Sequence, residues 1–282
     1  MTYKTILVHV DQSKHAAARI RLAAAIAIME NAHLIGAAMT GISRFLYEGG
    51  GIGMNGTLLS DQVEKLRQYA EEGLRQFDDI VKQAGVQSYE RRLVNDDHHD
   101  GLCLQARYCD LVVLGQTDVD DTLSYVLKDL PEYVVLNCGR PVLIVPHAGN
   151  FDGVGGKSMT AMVAWDGGME ATRAVTNALP LLRRAKKVAV VLFNAASGID
   201  RHGDQPGADI ALFLARHGLE VNVINRKTDI DIGNSILSEA ADLGSDLIVM
   251  GGYGHSRFRE MLLGGATRTI LETMTVPILM SH

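Results

Sequence analysis

The chain repeats itself once, and this internal repeat limits its fold more than any other feature of the sequence. Three segments of the first half recur in the second half with a similar order of apolar, acidic, glycine and proline residues. The front segment recurs after 155 residues and the two rear segments after 136 residues, so the first half carries 19 additional residues. The matched segments are Thr5–Asp11 with Thr160–Asp166, Asp110–Gly115 with Asp246–Gly251, and Arg140–Pro146 with Thr275–Ser281.

The duplication also predicts the domain organisation. A chain of 282 residues is long enough for two domains of roughly 150 residues, each with its own core. The glycine-rich stretch 41–60 is the predicted place of the additional residues, and 149–157 has the composition of a linker. The sequence therefore predicts a first domain over 1–148, a linker over 149–157 and a second domain over 158–282.

Each half alternates short apolar runs with amphipathic stretches of helical period. Strands that are apolar on both faces and separated by helices indicate a parallel sheet covered by helices. The predicted fold is α/β, with two tandem doubly wound parallel five-stranded sheets and helices on both faces. The predicted strands are Thr5–Val10, His33–Met39, Gln87–Val94, Leu111–Leu114, Pro141–Val145, Thr160–Ala164, Lys187–Leu192, Glu220–Ile224, Leu247–Met250 and Val276–Met280; the predicted helices include Ser13–Asn31, Asp61–Gln83 and Ala266–Met274.

Two aspartates and two glycines directly follow predicted strands. In a doubly wound sheet, ligands bind outside the carboxyl ends of the strands, where the strand order reverses. We therefore expect these four residues, one aspartate and one glycine from each half, at the ligand side of their sheets: Asp11, Gly115, Asp166 and Gly251.

The composition argues against several partners. A net charge of -6 and a pI of 5.9 disfavour a nucleic-acid binder, which needs a basic face. No window has the roughly 18 uncharged apolar residues of a membrane span, so no membrane association is expected. The chain passes from Met1 straight into its first predicted strand without a secretory signal, and its three cysteines form no CxxC pair. These features predict a cytoplasmic protein with reduced thiols.

A glycine pattern follows the fourth predicted strand of the second half. Gly251, Gly254 and Gly264 have the spacing G-x2-G-x9-G, and Asp166 ends the first strand of that half. In these residues the chain resembles the universal stress protein family, as a tandem pair with an adenine nucleotide alpha hydrolase-like fold. The resemblance implies that the second domain binds ATP or a related adenine nucleotide. The family has Ser or Thr after the third glycine, whereas this chain has Gly265, so one hydroxyl contact to the phosphates is missing.

The same residues suit an anion site on chemical grounds. Gly251 and Gly254 can take positive φ and allow a phosphate close to main-chain N–H groups. The helix that follows Gly264 and Gly265 would direct its free N–H groups at the same anion. His255 and Ser256 could add side-chain hydrogen bonds to phosphate oxygens, and Asp166 would accept from ribose hydroxyls or the adenine amino group. The alternative is that these glycines only make a tight turn and let a helix pack on the sheet.

The first half lacks this pattern. After Gly115, the second and third glycines are replaced by Asp118 and Lys128, and carboxylates repel phosphates. The first domain is therefore predicted to be a degenerate copy, in which Asp11 serves as a partner of the following helix together with Ser13 as its cap.

The acidic stretch Asn95–Asp100 contains two histidines and resembles a metal site, but adjacent residues rarely converge on one ion. Helix capping is the favoured interpretation, both for this stretch and for its counterpart Asp229–Ser235. No metal ligand set is assigned.

No catalytic motif is present: the sequence has no nucleophile elbow, no Walker loop and no dinucleotide fingerprint. The predicted function is a ligand-dependent sensor or regulator in the stress response. Slow ATP hydrolysis and a scaffold without nucleotide remain the alternatives. The two halves are predicted to pack as an internal pseudo-dimer through their last strands, with a homodimer of chains left open.

Overall fold

The computed structural model describes residues 2–42, 56–118, 129–149, 151–195, 205–253 and 265–282. The chain divides into two compact units, Tyr3–Arg140 and Pro141–His282, the latter including the first two residues. We refer to them as the N-terminal unit and the C-terminal unit. The domain boundaries at 148 and 158 stay a prediction.

The N-terminal unit is a parallel sheet with helices packed on it. Its strands lie in the order β3-β2-β1-β4, so that β1 contacts β2 on one side and β4 on the other. Among the helices, α1 packs against α2, and α3 against α4. The elements are β1 (Thr5–His9), α1 (Ala16–Glu30), β2 (His33–Met39), α2 (Gly56–Ala84), β3 (Tyr89–Val94), α3 (His98–Ala106), β4 (Leu111–Gly115) and α4 (Leu130–Asn137).

The C-terminal unit repeats this plan and adds two strands. Its strands lie in the order β5-β10-β9-β6-β7-β8. The neighbouring strands from β10 to β8 are parallel, whereas β5, from the first sequence repeat, is antiparallel to β10. The elements are β5 (Val142–Val145), β6 (Thr160–Ala164), α5 (Met169–Leu182), β7 (Lys187–Phe193), α6 (Ala208–Arg216), β8 (Val221–Arg226), α7 (Ile232–Asp242), β9 (Leu247–Gly251), α8 (Gly265–Thr273) and β10 (Ile278–Ser281).

The central strands form the core of each unit because they are covered on both faces. Ile6, Leu7 and Val8 of β1 are fully buried, as are Ile248 and Val249 of β9. This burial is the reason that the sequence shows continuous apolar runs instead of an alternating pattern. The predicted α/β fold with parallel sheets and helices is confirmed.

Two helix starts differ from the prediction. Helix α1 begins at Ala16 instead of Ser13, and its N-cap residue His15 makes no side-chain cap hydrogen bond. Ser13 does not cap the helix with its side chain, because its Oγ donates to Asp11 Oδ1 at 2.8 Å. Helix α2 begins at Gly56, inside the stretch predicted to hold the additional residues; the part from 43 to 55 lies outside the described residues.

The predicted linker contributes to the C-terminal unit. Val154 is buried, and the N–H of Gly155 donates to Met159 Sδ at 3.0 Å. Gly153 packs so closely on Asp246 that a Cβ there would overlap its carboxylate. The described residues of 149–157 therefore pack through turns as well as connecting the repeats. None of the helices in the described ranges combines the length and apolarity of a membrane span.

Candidate functional site

The structure brings Asp166 and Gly251 to the same edge of the C-terminal unit. Strands β6 and β9 are parallel neighbours, with Ala164 opposite Met250, and Gly251 is the last residue of β9. The chain continues from β6 to β7 on one side, while β9 lies on the other side, so the strand order reverses between β6 and β9. This is the position at which doubly wound sheets bind ligands.

Asp166 presents its carboxylate at this edge. The residue is exposed, and its Oδ1 accepts a hydrogen bond from the N–H of Gly168 at 2.8 Å. Glu170 lies beside it, because a Cβ on Gly168 would be 3.0 Å from Asp166 Oδ1 and 3.3 Å from Glu170 Oε2. Within the described ranges, Asp166 forms no ion pair and keeps acceptor capacity for a ligand.

Gly251 is required by packing, which was the alternative interpretation of these glycines. A Cβ at this position would lie 2.6 Å from the backbone nitrogen of Ala171 and 2.8 Å from the Cβ of Glu170. Gly251 is not among the described glycines with positive φ, so the left-handed conformation that a glycine allows is not used at this residue. The missing side chain lets the first turn of α5 contact the end of β9. The residue with positive φ is instead Tyr253, at φ 60°, which sequence reasoning missed because tyrosine rarely adopts this conformation.

Gly265 is the first residue of α8. Among the described residues, the nearest atom to a Cβ on Gly265 would be Asp231 Oδ2, at 4.0 Å. Asp231 is the N-cap of α7, as the capping interpretation of its segment predicted, and its Oδ1 accepts from the N–H of Asn234 at 3.0 Å. The first turns of α7 and α8 touch, since a Cβ on Gly233 would lie 2.6 Å from the carbonyl oxygen of Ala266. The approach of the Asp231 carboxylate to Gly265 was not predicted.

Four of the predicted site residues lie outside the described residues: Gly254, His255, Ser256 and Gly264. Their roles stay predictions. Of the predicted set, the described members are Asp166, Gly251 and Gly265.

The corresponding edge of the N-terminal unit is filled by a side chain. Arg19, from α1, is buried and places Nη2 2.8 Å from Asp11 Oδ1, while its Nε donates to the carbonyl oxygen of His9 at 2.9 Å. Its guanidinium lies directly against Gly115, in the space that a Cβ there would need. Asp11 is therefore a partner of the following helix, as predicted, but through an ion pair with Arg19. Sequence reasoning missed Arg19, although Ala174 stands 155 residues later, at the equivalent position of the repeat.

Burial and charge set the protonation of this cluster. Burial lowers the pKa of His9 to about 3, although the Asp11 carboxylate acts in the opposite direction. Burial alone would raise the pKa of Asp11, but the Arg19 guanidinium outweighs it and holds that pKa well below its usual range. His98 stands edge-on to His9, with 6.0 Å between ring centroids, and burial lowers its pKa too. At neutral pH the cluster holds neutral histidines and one ion pair.

The acidic substitutions of the first repeat also have internal partners. Asp118, at the position of the second glycine, lies 3.1 Å from Lys14 Nζ and 3.2 Å from His15 Nε2. Asp129 corresponds to Gly265, and its Oδ1 lies 3.0 Å from His99 Nε2. Lys128 lies outside the described residues. The described carboxylates thus occupy, with basic side chains as partners, positions where the second repeat has glycine.

The capping interpretation of Asn95–Asp100 is confirmed. Asp97 is the N-cap of α3, and its Oδ1 accepts from the N–H groups of His99 and Asp100, both at 3.0 Å. The side chain of Asp100 accepts from Tyr133 Oη at 2.6 Å. These polar groups hold α3 in place against α4.

The fold and this edge define a class: a doubly wound α/β protein with an aspartate and a glycine at the point where the strand order reverses. The sequence profile of the universal stress protein family matches the chain twice, over residues 2–146 and 158–282. The chain therefore belongs to the universal stress protein family, with two consecutive copies of the family domain. No functionally curated protein matches it.

Solved structures agree with this assignment. A universal stress protein from Archaeoglobus fulgidus DSM 4304 is similar at a TM-score of 0.72 and 17% identity, covering 98% of this chain and 94% of that chain. A functionally unknown protein from Pseudomonas aeruginosa PAO1 is similar at a TM-score of 0.57 and 16% identity, with coverages of 98% and 92%. A universal stress protein in complex with cAMP is 25% identical over 51% of this chain and 98% of that chain, at a TM-score of 0.37. At these identities the first two show the fold alone.

Proposed function

We propose that the second domain binds an adenine nucleotide, ATP or a related molecule, and that the chain acts in the cytoplasm as a ligand-dependent sensor or regulator of the stress response. The observation that carries the proposal is the difference between the two edges. In the N-terminal unit, Arg19 neutralises Asp11 and fills the space over Gly115. In the C-terminal unit, the equivalent Asp166 is exposed and has no ion pair within the described ranges.

Each residue of the site has a chemical role in this proposal. Asp166 accepts hydrogen bonds from ribose hydroxyls or the adenine amino group. The main chain at Gly251, Gly254, Gly264 and Gly265 supplies N–H donors to the phosphates, together with the amino end of α8. His255 and Ser256 add side-chain hydrogen bonds. These roles follow the family resemblance, with the departure at Gly265 noted above.

The first domain serves as an ion-paired partner that needs no nucleotide. Arg19 engages the carboxylate of Asp11, which in the second repeat is the acceptor proposed for ribose hydroxyls or the adenine amino group. The antiparallel pairing of β5 with β10, register Leu143 opposite Leu279, supports an internal pseudo-dimer of the two repeats. Analytical ultracentrifugation would measure whether two chains also associate into a homodimer.

The protein carries a built-in probe for the test. Its single tryptophan is Trp165, directly before Asp166. Titration with ATP, ADP, AMP and cAMP should change Trp165 fluorescence and give a saturable heat in calorimetry. Asp166→Ala should weaken binding by roughly 10- to 100-fold, the value of a hydrogen bond to a charged group. Asp209→Ala, an exposed carboxylate on α6, is the matched control and should bind like the wild type.

Two further measurements separate the alternatives. Restoring the family hydroxyl with Gly265→Ser should tighten binding by up to about tenfold, because the described residues around the position leave space for a Cβ. Steady phosphate release from ATP would instead favour the weak ATPase. The proposal would be refuted if no nucleotide binds in the titrations and mass spectrometry finds none on freshly purified protein. The scaffold without nucleotide would then be the remaining alternative.

A further inference from the structure

The carboxylate of Asp231 lies beside the helix end that the proposed site uses for phosphate, and the inference drawn from it rests on the proposed function. Its Oδ2 is 4.0 Å from the position of a Cβ on Gly265, the first residue of α8. Its Oδ1 is engaged with the N–H of Asn234 in its own helix, at 3.0 Å. Asp231 is thus held in place by capping α7 while its second oxygen faces the start of α8.

The starts of the two helices are in close contact. A Cβ on Gly233 would meet the carbonyl oxygen of Ala266 at 2.6 Å and Asp231 Oδ1 at 2.9 Å. Only glycine at 233 allows α7 to approach α8 this closely. The contact at Gly233 holds the two helix starts together, and the cap hydrogen bond keeps the carboxylate next to the amino end of α8.

Three carboxylates lie close to glycines of the C-terminal unit. Asp166 and Glu170 lie on either side of Gly168, after the end of β6, and Asp231 lies beside the amino end of α8. In the part of the chain that the structure describes, none of these three carboxylates forms an ion pair. A phosphate bound at the amino end of α8 would lie within a Debye length of Asp231, which is about 8 Å at physiological ionic strength.

We infer that Asp231 is a specificity-determining residue that penalises each additional phosphate charge and so biases the site towards adenosine monophosphates over ATP. A unit charge at about 6 Å in a water-like dielectric weakens binding by about threefold. ATP carries more negative charge than AMP, so the penalty grows from the monophosphate to the triphosphate. The helix end supplies the attraction for the first phosphate, and Asp231 limits how many can follow.

The decisive measurement is the ratio of ATP affinity to AMP affinity, obtained by calorimetry in EDTA so that no metal masks the phosphate charge. Asp231→Asn removes the charge and keeps the cap, because asparagine is also a favoured N-cap residue. The variant should raise the ATP to AMP ratio by about three- to tenfold, and added salt should reduce this difference. Asp229→Asn, an exposed carboxylate two residues away, is the matched control and should leave the ratio within twofold.

The outcomes separate this inference from the proposed function. If both nucleotides bind and the ratio is the same in wild type and Asp231→Asn, the inference is overturned and the proposed function stands. If Asp229→Asn shifts the ratio as much as Asp231→Asn, the effect is general surface charge and the inference fails as well. If neither nucleotide binds the wild type, the proposed function falls and this inference with it. Equal urea midpoints for the two variants would establish that both are folded.

Discussion

The buried ion pair of the N-terminal unit gives the strongest prediction about stability. Arg19 and Asp11 have side chains only 4% and 18% exposed, with 2.8 Å between Nη2 and Oδ1. Asp11→Asn would leave the guanidinium of Arg19 buried without a countercharge, which typically costs about 3–5 kcal/mol. An asparagine oxygen can still accept from the N–H and Oγ of Ser13, so the loss reports on the charge and not on the turn.

The second repeat supplies the matched control. Asp166 is exposed and its described hydrogen bond, from Gly168, can be kept by asparagine. Asp166→Asn should therefore change the free energy of unfolding by no more than about 0.5 kcal/mol. Urea denaturation at pH 7, followed by circular dichroism, suits the comparison because urea does not screen charges. A loss below about 1 kcal/mol in Asp11→Asn, or equal losses in the two variants, would refute the idea that Arg19 depends on Asp11.

The remaining predictions concern packing and pH. Gly251→Ala should destabilise the protein by about 1–3 kcal/mol, because its Cβ would meet the backbone of Ala171 at 2.6 Å. Gly265→Ala should be near neutral, because no described atom lies closer than 4.0 Å to its Cβ. Similar urea midpoints for the two variants would contradict this account. His9 should destabilise the fold as the pH falls from 6.5 towards about 3, since burial lowers its pKa in the native state and the unfolded chain then binds the extra proton. His9 contributes at most about 1.4 kcal/mol per pH unit to the slope of the free energy of unfolding against pH. His9→Gln should therefore make this slope smaller between pH 6.5 and about 3. An unchanged slope would argue against a buried neutral histidine.

Much of the fold could be predicted from local patterns. Strands such as His33–Met39 and Thr160–Ala164 were predicted with the bounds that the structure has. A strand buried on both faces has a nearly uninterrupted apolar sequence, which makes it easy to detect. The internal repeat predicted the remaining elements, because both halves must have the same order of strands and helices. Helix starts were less well predicted: α1 begins three residues later than expected, because Ser13 binds Asp11 instead of capping the helix.

The site could be placed by sequence but not explained by it. The rule that ligands gather at the carboxyl ends of parallel strands brought Asp166 and Gly251 together, and their strands are neighbours. At Gly251 the structure shows the packing constraint that was left open as the alternative, because the first turn of α5 fills the space over the glycine. A contact between residues 80 positions apart leaves no local pattern to detect.

The sequence by itself determined the α/β class, the duplication, the strands and the residues that end them, because periodicity and repetition are properties of neighbours along the chain. Tertiary structure alone decided what lies at each strand end. Arg19 closes one edge and Asp231 approaches the start of α8 at the other. Both are set by how helices pack on the sheet and on each other, where a few ångströms determine whether a charge meets a partner or remains available to a ligand.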